Sequence, residues 1–148
     1  MAMVDNELQC GYITIYKNHV YDGSYTNGTE ELVYNGMIMF PENNKLVFKE
    51  SDNEFMIREA AEIYDNLPAY RVLVKKLNEL CYFIENTWDF NDSDVYDTRR
   101  YAVEADALLN AHPLEEGEEF LISASLVKAN DIQPGKILTV SINGNLQG

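Results

Sequence analysis

The sequence predicts an α+β fold, with an N-terminal antiparallel β-meander, a central three-helix segment and a C-terminal β-hairpin joining or covering the sheet. Three observations lead there. Apolar and polar residues alternate between turn dipeptides as far as Phe48, apolar residues recur at intervals of three and four behind capping residues between Ser51 and Ala111, and alternation returns at Phe120. Strands first, helices in the middle and strands last is the α+β order.

Residues 8–16 read as a strand that places Leu8, Cys10, Tyr12, Thr14 and Tyr16 on one face. Asp22-Gly23 and Asn27-Gly28 favour positive φ, which makes residues 22–29 a loop or a short hairpin tip. Residues 32–40 form a second strand, Pro41-Glu42-Asn43-Asn44 a turn, and residues 46–48 a third strand. Ser51-Asp52-Asn53-Glu54 spells a capping box ahead of a helix with the stripe Met56, Ala60, Ile63, Tyr64 and Leu67. The next helix, over residues 66–88, is the longest: Tyr70, Leu73, Val74, Leu77, Leu80, Cys81, Ile84 and Trp88 share one face. At about 30 Å it would span the domain and serve as its spine. Ser93 or Asp94 opens a third helix that runs to about Ala111 and closes at His112-Pro113. Residues 120–128 and 136–143 alternate again about Pro134-Gly135, which suits a type II turn. The 148 residues carry no linker long enough to divide them, so a single domain is expected.

Twenty-five acids against eleven lysines and arginines give a net charge of −14. That sign opposes direct binding to nucleic acid, whose affinity comes from cations that displace counterions, and opposes an anionic membrane surface. A basic partner is expected instead. With no run of eighteen apolar residues and no basic-then-apolar leader in residues 1–10, the chain reads as soluble and cytoplasmic, in the host cell's cytoplasm if a phage encodes it. Cys10 and Cys81 fit no metal motif and read as a reduced pair.

The acids concentrate late. Residues 85–119 hold eleven of them against Arg99 and Arg100, a net of −9. A calcium loop starting at Asp89 fails, because Asp94 stands where glycine is needed and Arg100 where a bidentate Glu belongs. Asp92-Ser93-Asp94-Val95 has the letters of an aspartyl-phosphate site but no buried strand in front of it. Cys–His chemistry would need Cys10 or Cys81 beside His19 or His112, and Cys81 lies on an apolar stripe. No phosphate-cradling glycine loop is present, so no enzyme and no cofactor is expected.

What remains is a carboxylate-rich face made of Asp89, Asp92, Asp94, Asp97, Glu104, Asp106, Glu115, Glu116, Glu118 and Glu119, with Tyr96 among them as an interface residue. Carboxylates on successive turns repeat at spacings of the order of phosphates along a strand. The expected function is therefore that of a non-enzymatic acidic inhibitor presenting this face to the basic nucleic-acid-binding groove of an enzyme. In size and acidity the chain is similar to the small inhibitors of host defence nucleases that phages and mobile elements use, anti-CRISPR proteins and DNA mimics among them. The alternative is a protein, alone or as an oligomer, that sequesters a nucleotide signal in a pocket lined by Arg58, Arg71, Lys75, Arg99, Arg100, Tyr21 and Tyr25.

Overall fold

The structure is a computed structural model that describes residues 2–3, 11–15, 23–63, 67–86 and 101–148. Fourteen strands run through them: β1 (Ala2–Met3), β2 (Gly11–Ile15), β3 (Gly23–Asn27), β4 (Ile38–Glu42), β5 (Lys45–Val47), β6 (Ser51–Ile63) and β7 (Leu67–Lys76), followed by β8 (Tyr82–Ile84), β9 (Tyr101–Ala102), β10 (Leu108–Pro113), β11 (Glu119–Ser123), β12 (Val127–Lys128), β13 (Ile137–Val140) and β14 (Leu146–Gln147). The one helical piece among the described residues is a single 3-10 turn, Ala124–Leu126. The α+β expectation is therefore corrected to a nearly all-β fold.

Five strands close a barrel in the order β10-β3-β5-β4-β8, and seven form a sheet in the order β12-β14-β13-β6-β7-β11-β2, while β1 pairs with β9. The sheet is built on the long β6–β7 hairpin. Along β6, Ser51, Asn53, Phe55 and Ile57 are buried while Asp52 is exposed and Glu54 and Met56 are half-buried, the period-two pattern of a strand with one face inward. Phe55 pairs with Val74, Ile57 with Val72, and Val72 in turn with Phe120, so one face of the sheet is apolar across three strands. That face packs on the barrel. Phe120 of β11 stands 4.6 Å from Phe83 of β8 and 6.0 Å from Phe55, ring centre to ring centre, in the tilted arrangements that aromatic quadrupoles favour. Barrel and sheet thus share one core.

The helices fail for identifiable reasons. Of residues 66–88, expected as the spine, the described residues 67–86 hold β7, a bend and β8. Within β7 the buried positions are Ala69, Val72 and Val74, and of the expected stripe Tyr70 and Leu73 are only half-buried; β-branched side chains such as Val72 and Val74 pack better on a pleated sheet. The bend is fixed by Asn53, fully buried, whose Oδ1 accepts from the backbone N–H of Asn78 (2.7 Å) and Glu79 (3.1 Å) while its Nδ2 donates to the Glu79 carbonyl (3.0 Å). The capping box is not a cap: the Ser51 hydroxyl accepts from the Asn53 amide at 3.2 Å, and Glu54 pairs with Lys75 at 3.8 Å. Of the third helix, residues 101–102 and 108–111 fall in β9 and β10 with a turn between them, and residues 93–100 lie outside the described residues. The C-terminal segments form no hairpin with each other, since β6 and β7 lie between β13 and β11; β11 does join the sheet that contains β2. Of the expected turn Pro41-Glu42-Asn43-Asn44, only Asn43-Asn44 turns, and Pro41 and Glu42 belong to β4. Asn43 and Asn44, both at positive φ (50° and 65°), link β4 to β5 as a hairpin.

Among the described residues no helix is long and apolar enough to cross a membrane. Replacing Phe120 with alanine should cost about 3–5 kcal/mol, the usual toll of emptying a buried aromatic site, read as a lowered urea midpoint at unchanged slope. A loss below about 1 kcal/mol would contradict its place between the two layers.

Candidate binding surface

Asn27 ends β3 fully buried and organises one end of the barrel. Its Nδ2 donates to the carbonyls of Glu31 (3.0 Å) and Val103 (3.2 Å), and its Oδ1 accepts from the Thr29 amide and hydroxyl at 2.9 and 2.8 Å. Its own backbone exchanges hydrogen bonds with the 106–107 segment, Asp106 N–H to Asn27 carbonyl and Asn27 N–H to Ala107 carbonyl. Two loops distant in sequence are thereby tied together. Glu30, Glu31, Glu104 and Asp106 stand on them, all exposed, with Lys45 3.8 Å from Asp106.

Beside this acidic end runs a groove of about 530 Å³ lined by Glu31, Leu32, Tyr34, Met37, Phe48, Ile142, Asn143 and Asn145. Leu32 and Ile142 remain 37% and 59% exposed, unusual for large aliphatic side chains. Phe48 lies against Gly144, where a Cβ would come within 2.5 Å of the ring and where φ is +83°, so glycine is required both by space and by backbone. A second hollow of about 430 Å³ shares Phe48 and extends past Phe40, Pro41, Glu42, Lys49 and Glu79 to Leu80, itself 50% exposed. Phe48 is the wall common to both.

The expected carboxylate face divides. Asp89, Asp92, Asp94, Tyr96 and Asp97 lie outside the described residues. Glu104 and Asp106 are exposed at the acidic end, and Glu116, exposed, accepts the Leu77 amide at 2.8 Å. Glu115 is half-buried and Glu118 wholly buried: Glu118 Oε1 accepts the Glu115 amide at 2.5 Å, and its Oε2 lies 2.8 Å from Nε2 of the equally buried His112. His112 is therefore a core partner in a strand and not the end of a helix. Glu119 is held by Arg71 (Nε 2.8 Å, Nη2 2.5 Å) and Arg58 (3.3 Å) and is 7% exposed. Glu118 and Glu119 are thus withdrawn from any outward surface.

The alternative pocket is likewise divided. Arg58 and Arg71 line a cleft of about 250 Å³ with Glu59 and Pro134, reached because Arg58 is the extra residue of a β-bulge between Ile57 and Glu59. Arg71 also lies 3.3 Å from Glu59, and the hydrogen bond to Glu119 raises its guanidinium's pKa further above its ordinary value. The positive charge of this cleft is spent on the protein's own acids. Lys75 pairs with Glu54, Tyr25 packs on Tyr82 in the barrel at 4.8 Å, and Tyr21, Arg99 and Arg100 lie outside the described residues.

Cys81 is buried, and desolvation pushes its thiol up to about 12, where it carries no thiolate at neutral pH. Among the described residues no three acid, histidine or cysteine side chains converge to hold a metal ion. The groove residues Leu32, Phe48 and Ile142 and the clamp Asn27 were invisible to periodicity. The available signal was Asn27-Gly28-Thr29 directly before Glu30-Glu31, a turn that delivers two acids to a rim.

Glu79 binds Lys49 and accepts from Ser51 Oγ at 3.0 Å, and the Lys49 hydrogen bond is the main cause of a carboxyl pKa held below its usual 4.5. A depressed folded-state pKa stabilises the fold above the unfolded value and loses that contribution as pH falls through the folded one. Melting temperatures of the wild type and Glu79→Gln should therefore differ at pH 6 and converge as the pH falls below 4.5 and through the folded-state pKa; a constant difference would contradict the pairing. Compared with protein-family models, curated proteins and solved structures, the chain matches none, so the chemistry of its surface alone carries a functional reading.

Proposed function

We propose that the protein is a non-enzymatic binding protein that docks a basic protein through its acidic barrel end, and that the surface it occupies on that partner is one otherwise used to hold nucleic-acid phosphate. The observation that carries this reading is the convergence of Glu30, Glu31, Glu104 and Asp106 on two loops locked by Asn27, in a chain of net charge −14. A buried clamp that fixes the backbone of both loops lets them present these carboxylates with less chain entropy lost on binding, which favours affinity. The long-range field of the whole chain draws a cationic partner in and repels nucleic acid. Rapid association at low salt that weakens as salt rises follows from the same charges.

The test is a capture experiment on the immobilised chain. A basic protein retained at low salt and released at high salt should be displaced by duplex DNA, because both ligands compete for one phosphate-binding surface. The variant Glu30→Lys, Glu31→Lys should lose that protein at an unchanged melting temperature, since both side chains are exposed. Retention by the variant equal to that of the wild type would overturn the proposal.

A further inference from the structure

We infer that the groove beside the acidic end receives an extended segment of the basic partner, one in which apolar side chains alternate with lysine or arginine. The inference rests on the binding role proposed above and names what enters this particular surface. Three of the four large aliphatic side chains that stand exposed among the described residues, Leu32, Leu80 and Ile142, border the two hollows on either side of Phe48. Apolar side chains gathered about one aromatic wall are what remains exposed when a surface awaits cover.

The charge around the hollows selects the occupant. Glu31 lines the first and Glu42 the second, both exposed, and Glu30 adjoins Glu31 in sequence. The second also holds Lys49, but Glu79 binds it and its Nζ lies 5.7 Å from the centre of the Phe40 ring, so that cation is already engaged. A second copy of the chain would set acidic rim against acidic rim at a net charge of −14 each, which opposes self-association. An acidic or purely apolar segment would leave the carboxylates unmatched. An extended chain turns successive side chains to opposite sides, so an apolar–basic alternation sends apolar side chains down onto Phe48, Leu32 and Ile142 and leaves cations at the level of the rim. Long basic side chains reach such a rim by laying their methylenes along apolar surface.

The experiment uses the full chain and three fluorescein-labelled dodecapeptides: alternating leucine and lysine, alternating serine and lysine, and alternating leucine and glutamate. Fluorescence anisotropy should show the leucine–lysine peptide bound at least about tenfold more tightly than the serine–lysine peptide, and the leucine–glutamate peptide unbound; tenfold is the order of one buried aliphatic anchor. The variant Leu32→Asn, Ile142→Asn, altered at exposed positions and checked for an unchanged melting temperature, should bind the leucine–lysine peptide about tenfold more weakly while binding the serine–lysine peptide as before. The acidic-end variant of the previous section should weaken both lysine peptides alike. Equal affinity for the leucine–lysine and serine–lysine peptides would overturn the inference, as would an unaffected Leu32→Asn, Ile142→Asn variant, or a dimer by sedimentation that this variant dissolves. If the basic partner is still captured and displaced by DNA in any of those cases, the groove assignment alone fails and the binding role stands.

Discussion

Phe120 sits where the two layers of the molecule meet, and the packing of its ring against Phe83 on the barrel side and Phe55 on the sheet side makes them one body. Neither layer buries an apolar face without the other. The barrel's β8 is three residues long and wholly buried, and β6, β7 and β11 give their inward positions to the same cluster. The outward side of those three strands carries a smaller apolar cluster of Ile63 and Ala69 with Leu121, and a group of charges. There Glu119, Arg58, Arg71 and Glu59 neutralise one another across the strands, a diagonal contact that a pleated sheet allows.

Buried asparagines hold the turns and loops between strands. Asn53 closes the bend after β7, Asn27 ties the acidic loops, and Asn35 joins the barrel's turn to Asn86, whose Oδ1 accepts the Asn110 amide at 2.6 Å. Each supplies both a donor and acceptors to backbone groups that no ladder satisfies, which is what a buried amide must do to repay its desolvation. The acidic surface depends on this arrangement, because Glu30, Glu31, Glu104 and Asp106 share one end of the barrel through the hydrogen bonds of Asn27.

How much of this could be read in advance depended on how local the cause was. The β4–β5 hairpin was legible because Asn43-Asn44 is itself the turn, and Cys81 was legible as core because burial follows hydrophobicity whatever the backbone does. The long hairpin was not. Ser51 and Glu54 sit at capping-box spacing, and the stripe from Tyr70 to Ile84 has helical period, but the structure was decided by the register between β6, β7 and β11, a long-range pairing that no window of sequence contains. The placement of the acids was hidden for a related reason. Counting charge along residues 85–119 treats them alike, but Glu118 closes on His112 and Glu119 on two arginines, while Glu30 and Glu31, far away in sequence, arrive at the exposed end. Under the proposed binding role, charge fixes the sign of the partner, and topology decides which carboxylates meet it.

The most direct test of that claim is a map of backbone amide shifts in the 15N-labelled chain as the leucine–lysine peptide is added. The account predicts perturbations gathered in residues 28–34, at Phe48, in 103–106 and in 141–145, with the amides around Arg58, Arg71 and Glu119 unmoved. Shifts centred on the Arg58–Glu119–Arg71 cleft, or spread evenly over the surface, would contradict it.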